Sequence, residues 1–366
     1  EYGTAEMLRR LSDPFWFQSF GAVMGMDWHS SGITTSVLGA LKRAVNPHSK
    51  QLGVFICGGK GKFSKEAPKE LLSVAEQTGL DGNELVRSSK LSAKVDNTAV
   101  QDGFQLYTHN FIVSSSGEWT VIQQGMRTGD KTARRYHWHS KNIKSFVEEP
   151  HTGICGINQG TILNLTAHEA SSTREGVLII TQEKPELMLR EFQQLILPSR
   201  HDVRSEDVDL KRLGSILWLA HDSRPENFEE LLLLQGVGPR TLQSLTLVSE
   251  VIHGTPSRFK DPARFAFAHG GKDGHPFPVP LKVYDETIST LQTAVHKSRL
   301  GQSEKQQAIK ALAQIAQRAE KDFVPHDNFD ALIEKERDDS WKYDGRTVFG
   351  KSKPRKGSKG LQLRLF

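Results

Sequence analysis

The run VMGMDWHSSGITTSVLGAL places Asp27 and His29 between two apolar stretches, with Gly32 in the turn. Further along, KVDNTAVQDGFQLYTHNF supplies Asp96, Gln101, Asp102 and His109. QQGMRTGDKTARRYHWHS supplies Gln123, Gln124, Arg134, Arg135, His137 and His139, and CGGKGKF supplies Lys60 and Lys62. Together these residue types suit phosphodiester hydrolysis. Carboxylates such as Asp27 and Asp102 bind hard Mg²⁺ or Mn²⁺, which keep their waters and activate one of them while holding the leaving oxygen. His29, His109 and His137 can relay protons near neutral pH, and Lys60 can stabilise charge on the reacting phosphate. Each residue alone also has a plainer reading. Asp102-Gly103 makes a turn, and Asp96-Asn97 caps a helix. His137 and His139 alternate on a strand and share one face, which fits a solvated edge as well as a site. A zinc site is not expected, because Cys57 and Cys155 have no paired ligand spacing. CGGKGKF is not a nucleotide P-loop either, since it lacks four residues between Gly and Gly-Lys and the Ser or Thr that follows.

The second signal is NFEELLLLQGVGPRTLQSLTLVSEVIHG. Asn227 caps a helix through Gln235, and Gly236-Val237-Gly238 makes a sharp turn. Pro239 opens a second helix that runs to His253 and stops at Gly254. Glycines let a backbone approach a phosphate closely, and the N-terminus of the second helix offers N–H groups and a positive dipole end. Arg240 and Thr241 add contacts that fix position on the backbone without reading sequence. The stretch resembles the helix-hairpin-helix motif of DNA-repair proteins in its Gly-Val-Gly-Pro-Arg-Thr form, which implies DNA binding by Gly236, Val237, Gly238, Arg240 and Thr241. Some proteins with this hairpin are base-excision glycosylases. That reading is secondary here, because the second helix has no Lys and Asp261, Asp273 and Asp285 fall at unsuitable spacing.

The third signal is the C-terminus, SKPRKGSKGLQLRLF. Gln362 to Phe366 match the Gln-Leu-x-Leu-Phe pentapeptide of bacterial sliding-clamp ligands, with Gln362, Leu363, Leu365 and Phe366 as the anchor. The basic, Gly-containing stretch before it is a tether. The competing reading is a last strand docked on the body.

These features need elements to carry them. The chain has 366 residues, enough for two domains. Residues 1–160 read as α/β. The clearest piece is FQLYTHNFIVSSSGEWTVIQQGM, two alternating runs joined by Ser-Ser-Ser-Gly. QLGVFICGGKGKF reads as a buried strand ending in a glycine turn, and residues 66–97 hold two helical patterns. The runs around Asp27 read as two strands, an arrangement similar to the first strands of ribonuclease-H-like nucleases. Residues 161–325 read as all-helical, with the hairpin at 227–254, and residues 326–366 as a flexible basic tail. The net charge of +5 and pI near 9.0 permit a polyanionic partner without demanding one. No run of 18 apolar residues is present, so no membrane partner is expected. Two cysteines and no visible signal peptide point to the cytoplasm.

Taken with LRRLSDPFWFQ, GMDWHSSGITT, AKVDNTAVQDGFQLY, VIQQGM and ARRYHW, the chain resembles domain-of-unknown-function family 763 of bacteria and archaea over about residues 6–325. The resemblance implies an N-terminal domain of novel type joined to a helix-hairpin-helix region, with a further segment expected before Glu1. The expectation is a metal-dependent, structure-specific DNA endonuclease of repair or replication, recruited to the sliding clamp. Its substrate would be branched or partly single-stranded DNA. The alternatives are a non-catalytic DNA-binding adaptor on the clamp and, less favoured, a DNA glycosylase.

Overall fold

The structure is a computed structural model. It describes residues 2–26, 30–127, 132–194, 210–264, 281–298, 301–321, 334, 338, 346–347 and 350–351. In chain order, α1 (Gly3–Ser12), α2 (Pro14–Val23), α3 (Ile33–Val45) and the short α4 (Ser49–Leu52) lead into β1 (Val54–Lys60). After α5 (Ala67–Thr78) and α6 (Gly82–Lys94) come β2 (Val100–Gln101), β3 (Gln105–Ser114), β4 (Trp119–Met126), β5 (Ala133–His139), β6 (His151–Cys155) and β7 (Thr161–Asn164). The helices α7 (Ser171–Gln182), α8 (Pro185–Gln194), α9 (Leu210–Ser223), α10 (Phe228–Leu233) and α11 (Pro239–His253) follow, and β8 (Phe259–Lys260) pairs back onto β7.

The main sheet has the order β1-β3-β4-β5-β6 and is antiparallel throughout. Alternation along each strand sends apolar side chains to both faces. One face meets α1, α2 and α3 through Leu8, Leu11, Phe17, Ile33, Leu38, Ile56, Ile112 and Ile122. The other carries Phe55, Phe111, Val121 and Trp138 into a core shared with α5, α6 and the helices α7, α9, α10 and α11. Helix, sheet and helix therefore form three layers, and the sheet's centre is buried on both sides.

β1 is an edge strand whose exposed ladder is closed by side chains. Asn46 Nδ2 donates to Ile56 O (2.9 Å) and Asn46 Oδ1 accepts from Ile56 N (3.0 Å), so one amide imitates a neighbouring strand. The β3–β4 hairpin turns through Ser114 to Gly117, where φ is +87°, as the alternating pattern predicts.

The apolar runs around Asp27 depart from expectation. Both are helices, α2 and α3, so the strand–turn–strand context of a ribonuclease-H-like centre is not there. Asp13 caps α2 by accepting from Phe15 N and Trp16 N, with Pro14 at the first position. Phe15, Phe17, Gln18, Ser19, Gly21, Ala22 and Val23 are all buried, so most of α2's circumference is packed. A helix buried on most sides loses the period that would tell it from a strand.

By compactness the chain forms two units, Glu1–Phe277 and Pro278–Phe366, and residue 160 falls within the first. In the second, α12 (Leu281–Lys297) packs against α13 (Gln302–Lys321), and β9 (Arg346–Thr347) pairs with β10 (Gly350–Lys351). No described helix is long and apolar enough to cross a membrane. Residues 362–366 lie outside the described residues.

Candidate functional site

The strand register sorts the predicted polar residues. His109 pairs with Gln123 and Gln123 with Tyr136, so these three share one face. Ile122 and His137 are partners on the other. His109 and His137 therefore stand on opposite sides of the sheet and do not belong to one centre.

On the face toward α6, a buried network of hydrogen bonds takes in residues of four strands. Ser89 Oγ donates to His109 Nε2 (2.8 Å), and His109 Nδ1 donates to Gln123 Oε1 (2.7 Å). Gln123 Nε2 donates to Asp96 Oδ2 (2.6 Å), which also accepts from Trp138 Nε1 (2.9 Å). Asp96 Oδ1 pairs with His151 Nε2 (2.5 Å). The Gln123 amide fixes the tautomer of His109 as Nδ1–H, and burial holds its pKa below the usual imidazole range. Burial pushes Asp96 up, opposed by His151, Trp138 and Gln123. The Asp96–Asn97 turn expected as a cap is the hub of this network.

Asp102 lies on the same side but belongs to a separate ion cluster. Its Oδ2 accepts from Arg134 Nη1 (2.9 Å) and Tyr136 Oη (2.6 Å), and its Oδ1 accepts from Phe104 N (3.0 Å). Arg134 also forks onto Asp261, at 3.0 Å from Nη1 and 2.8 Å from Nη2. All three side chains are fully buried. Burial raises the pKa of Asp102 against the pull of Arg134 and Tyr136. Burial also opposes the charge on Arg134, but the two carboxylates outweigh it and keep it protonated. A carboxylate spent on a guanidinium, a phenol and an amide does not fit a hydrated Mg²⁺ or Mn²⁺. The assignment of Asp102 as metal ligand is corrected to a structural role, and His109 is a neutral core histidine. Asp261 is likewise occupied, accepting from Gln159 N and Ala263 N besides Arg134.

The opposite face packs against α1, α2 and α3. Thr34 Oγ1 donates to Gln124 Oε1, and Gln124 Nε2 donates to Ser31 O (3.1 Å) and Tyr107 Oη (2.6 Å). Arg135 stacks over Phe17 (4.9 Å) and donates to Gln18 Oε1 (2.8 Å) and His137 Nε2 (2.8 Å). Burial, then Arg135, holds His137 well below the ordinary imidazole pKa, so it stays neutral. Ser31, just before α3, and Thr34 within it are thus bonded to a polar row of Gln124, Arg135 and His137. Asp27 and His29 themselves lie outside the described residues. Among the described residues, no group of three His, Cys, Asp or Glu side chains is placed to hold a metal ion. Lys60 ends β1, exposed and apart from both networks.

The helix–turn–helix at 227–254 is built as its spacing predicts, except that α10 ends at Leu233 rather than Gln235. Asn227 Oδ1 accepts from Glu230 N (3.0 Å), while Glu230 Oε2 accepts from Glu226 N (2.9 Å), a reciprocal cap. Gly236 adopts φ +89°, open to glycine and strained for other residues. Val237 is 1% exposed and plugs the turn into the core. Gly238 caps α11 at φ −136°, ψ −177°, extended backbone that any residue adopts. An added Cβ there would meet only Gly236 O at 4.0 Å. Folding therefore does not require glycine at 238. Gly236 and Arg240 are exposed, whereas Thr241 is buried and its side chain is not available to a ligand. Two residues outside the predicted set fix the turn: Lys94 Nζ donates to Val237 O (2.5 Å) and Gln101 Nε2 to Pro239 O (2.8 Å). Burial lowers the pKa of Lys94. In sequence, Lys94 is only the last basic residue of an amphipathic helix, and nothing local marks its partner 143 positions away.

Comparison with known proteins gives one match. The model of the family described as Protein of unknown function (DUF763) covers residues 1–279, and the chain belongs to that family. No curated protein and no solved structure matches it.

Proposed function

We propose that this member of the DUF763 family is a DNA-binding protein of repair or replication that grips the sugar–phosphate backbone through the turn at 234–240. The observation that carries this reading is Gly238. Its extended backbone suits any residue and an added Cβ would meet no close neighbour, so we read its smallness as serving what approaches from outside. The adjoining N–H groups of α11 and the exposed Arg240 suit a phosphate. Such a grip is indifferent to sequence and selects by shape, which favours forks, flaps and other partly single-stranded junctions. Residues 362–366 then serve as the anchor for a bacterial sliding clamp.

We attach metal-dependent endonuclease activity to the α2–α3 loop, with Asp27 and His29 as its chemical groups. The polar row of Gln124, Arg135 and His137 to which Ser31 and Thr34 are bonded supports that choice, whereas Asp102 and His109 are spent elsewhere. Incubation of labelled forked DNA with Mg²⁺ or Mn²⁺ tests it. Wild type is expected to cleave, Asp27→Ala to bind without cleaving, and Asp102→Ala to retain cleavage at temperatures where it is folded. The second reading, a non-catalytic adaptor on the clamp, is favoured by the buried, fully engaged Asp102 and His109. It prevails if neither metal supports cleavage.

A further inference from the structure

The glycine turn after β1 plays no part in that account. We propose that the segment Lys60–Lys65 is a second nucleic-acid contact, which takes single-stranded DNA by stacking a base on Phe63 and holding flanking phosphates with Lys60, Lys62 and Lys65. It shares with the preceding reading only the premise that the partner is nucleic acid.

Phe63 is 54% exposed, although a side chain of its size ordinarily goes to the core. Lys60, Lys62 and Lys65 flank it in sequence and are also exposed. None of the three forms an ion pair among the described residues, and Lys62 Nζ lies 5.4 Å from the Phe63 ring centroid. Two acids lie nearby: Glu66 follows Lys65 and is exposed, while Glu70 is turned away. It pairs with Lys42 (2.7 Å) and accepts from Gly58 N (2.6 Å). The segment from Lys60 to Glu66 thus offers one exposed aromatic ring among three exposed lysines and one exposed glutamate. Phe63 has only glycine, lysine, serine and glutamate beside it in the turn, which gives a protein partner little apolar area to bury.

The turn is also held in place. Lys42 Nζ donates to Gly58 O (2.7 Å), Ser64 Oγ donates to Gly61 O (2.6 Å), and Gly58 has φ +86° with its Cα against His109 O, which an added Cβ would meet at 2.2 Å. At Gly59 an added Cβ would come within 3.1 Å of Phe63 Cβ, so the glycine lets the aromatic residue fold close over the strand end. An exposed ring whose position is fixed this way loses little entropy on stacking. Stacked bases flanked by cations are how single strands are held without sequence preference.

The test uses the full chain, a labelled thymidylate oligomer, a labelled blunt duplex and vesicles of phosphatidylglycerol. Phe63→Ala is expected to weaken oligomer binding by about five- to a hundredfold and to leave duplex affinity and the melting midpoint unchanged. Phe63→Trp should retain oligomer binding. Replacing Lys60, Lys62 and Lys65 together with Gln should lower the slope of log affinity against log salt by about 2. Unchanged oligomer affinity in Phe63→Ala overturns the proposal. So does a Phe63-dependent loss seen only on vesicles, which would assign the patch to a lipid surface. Gly236→Val separates the two readings. Wild type that binds duplex but not the oligomer overturns the Phe63 site alone. Oligomer binding that depends on Phe63, with duplex affinity indifferent to Gly236, overturns the hairpin reading alone. Binding of neither overturns both.

Discussion

Replacing Asp102 with alanine deletes a fully buried carboxylate and strands three donors: Arg134 Nη1, Tyr136 Oη and Phe104 N. Removing one partner of a buried ion pair costs about 3–5 kcal/mol. Here the fork from Arg134 to Asp261 survives and still compensates the guanidinium, which puts the loss at the low end, about 3 kcal/mol. For a unit of this size that lowers the melting midpoint by about 5 °C. Asp102→Asn keeps an acceptor oxygen for Arg134 and Tyr136 and should lose less. Calorimetry or circular dichroism on wild type and both variants gives the midpoints, and DNA affinity is read well below them, where it should be unchanged. An Asp102→Ala protein that melts like wild type yet loses metal-dependent cleavage would refute this reasoning and return Asp102 to a metal site.

His137 is neutral in the fold, with its pKa depressed by burial and Arg135, so its contribution is complete above the unfolded value of about 6.5 and is lost as pH falls below it. His137→Gln should remove about 1.4 kcal/mol per pH unit from the acid-side slope of the unfolding free energy, measured by urea titration between about pH 7 and 5; an unchanged slope contradicts the buried, neutral assignment. Lys94→Met should cost about 1.5 kcal/mol by freeing Val237 O and weaken duplex binding without touching oligomer binding at Phe63; wild-type affinity would make the Lys94 contact incidental to the grip. Deleting Gln362–Phe366 should abolish clamp binding in calorimetry, expected near micromolar or roughly −8 kcal/mol, and leave cleavage and melting unchanged; a lower midpoint would mean that the tail is a docked element.

Local pattern made part of this legible. The β3–β4 hairpin shows in its alternation, and α10–α11 shows in Asn227, Gly236, Pro239 and Gly254, because caps and turns are governed by neighbours in sequence. The strand expected before Asp27 was a misreading of the end of α2, since PFWFQSFGAV is buried on most sides, Gln18 and Ser19 included, and carries no clear period. The roles of the polar residues were hidden for a different reason. Asp102 meets Arg134 32 positions away, and Arg134 meets Asp261 a further 127 away. Whether a carboxylate is a ligand or half of a buried pair depends on that partner. Likewise His109 and His137 share a composition but not a face, which only strand register reveals.

The most direct test of the central claim is duplex and fork affinity as a function of salt, in several unrelated sequences, for wild type, Gly236→Val, Gly238→Leu and Arg240→Ala. A backbone grip predicts equal affinities across sequences, a uniform loss in both glycine variants with folding retained in Gly238→Leu, and a salt slope about 0.9 shallower in Arg240→Ala. Wild-type affinity and slope in Gly238→Leu and Arg240→Ala would contradict it and leave the turn a corner between packed helices.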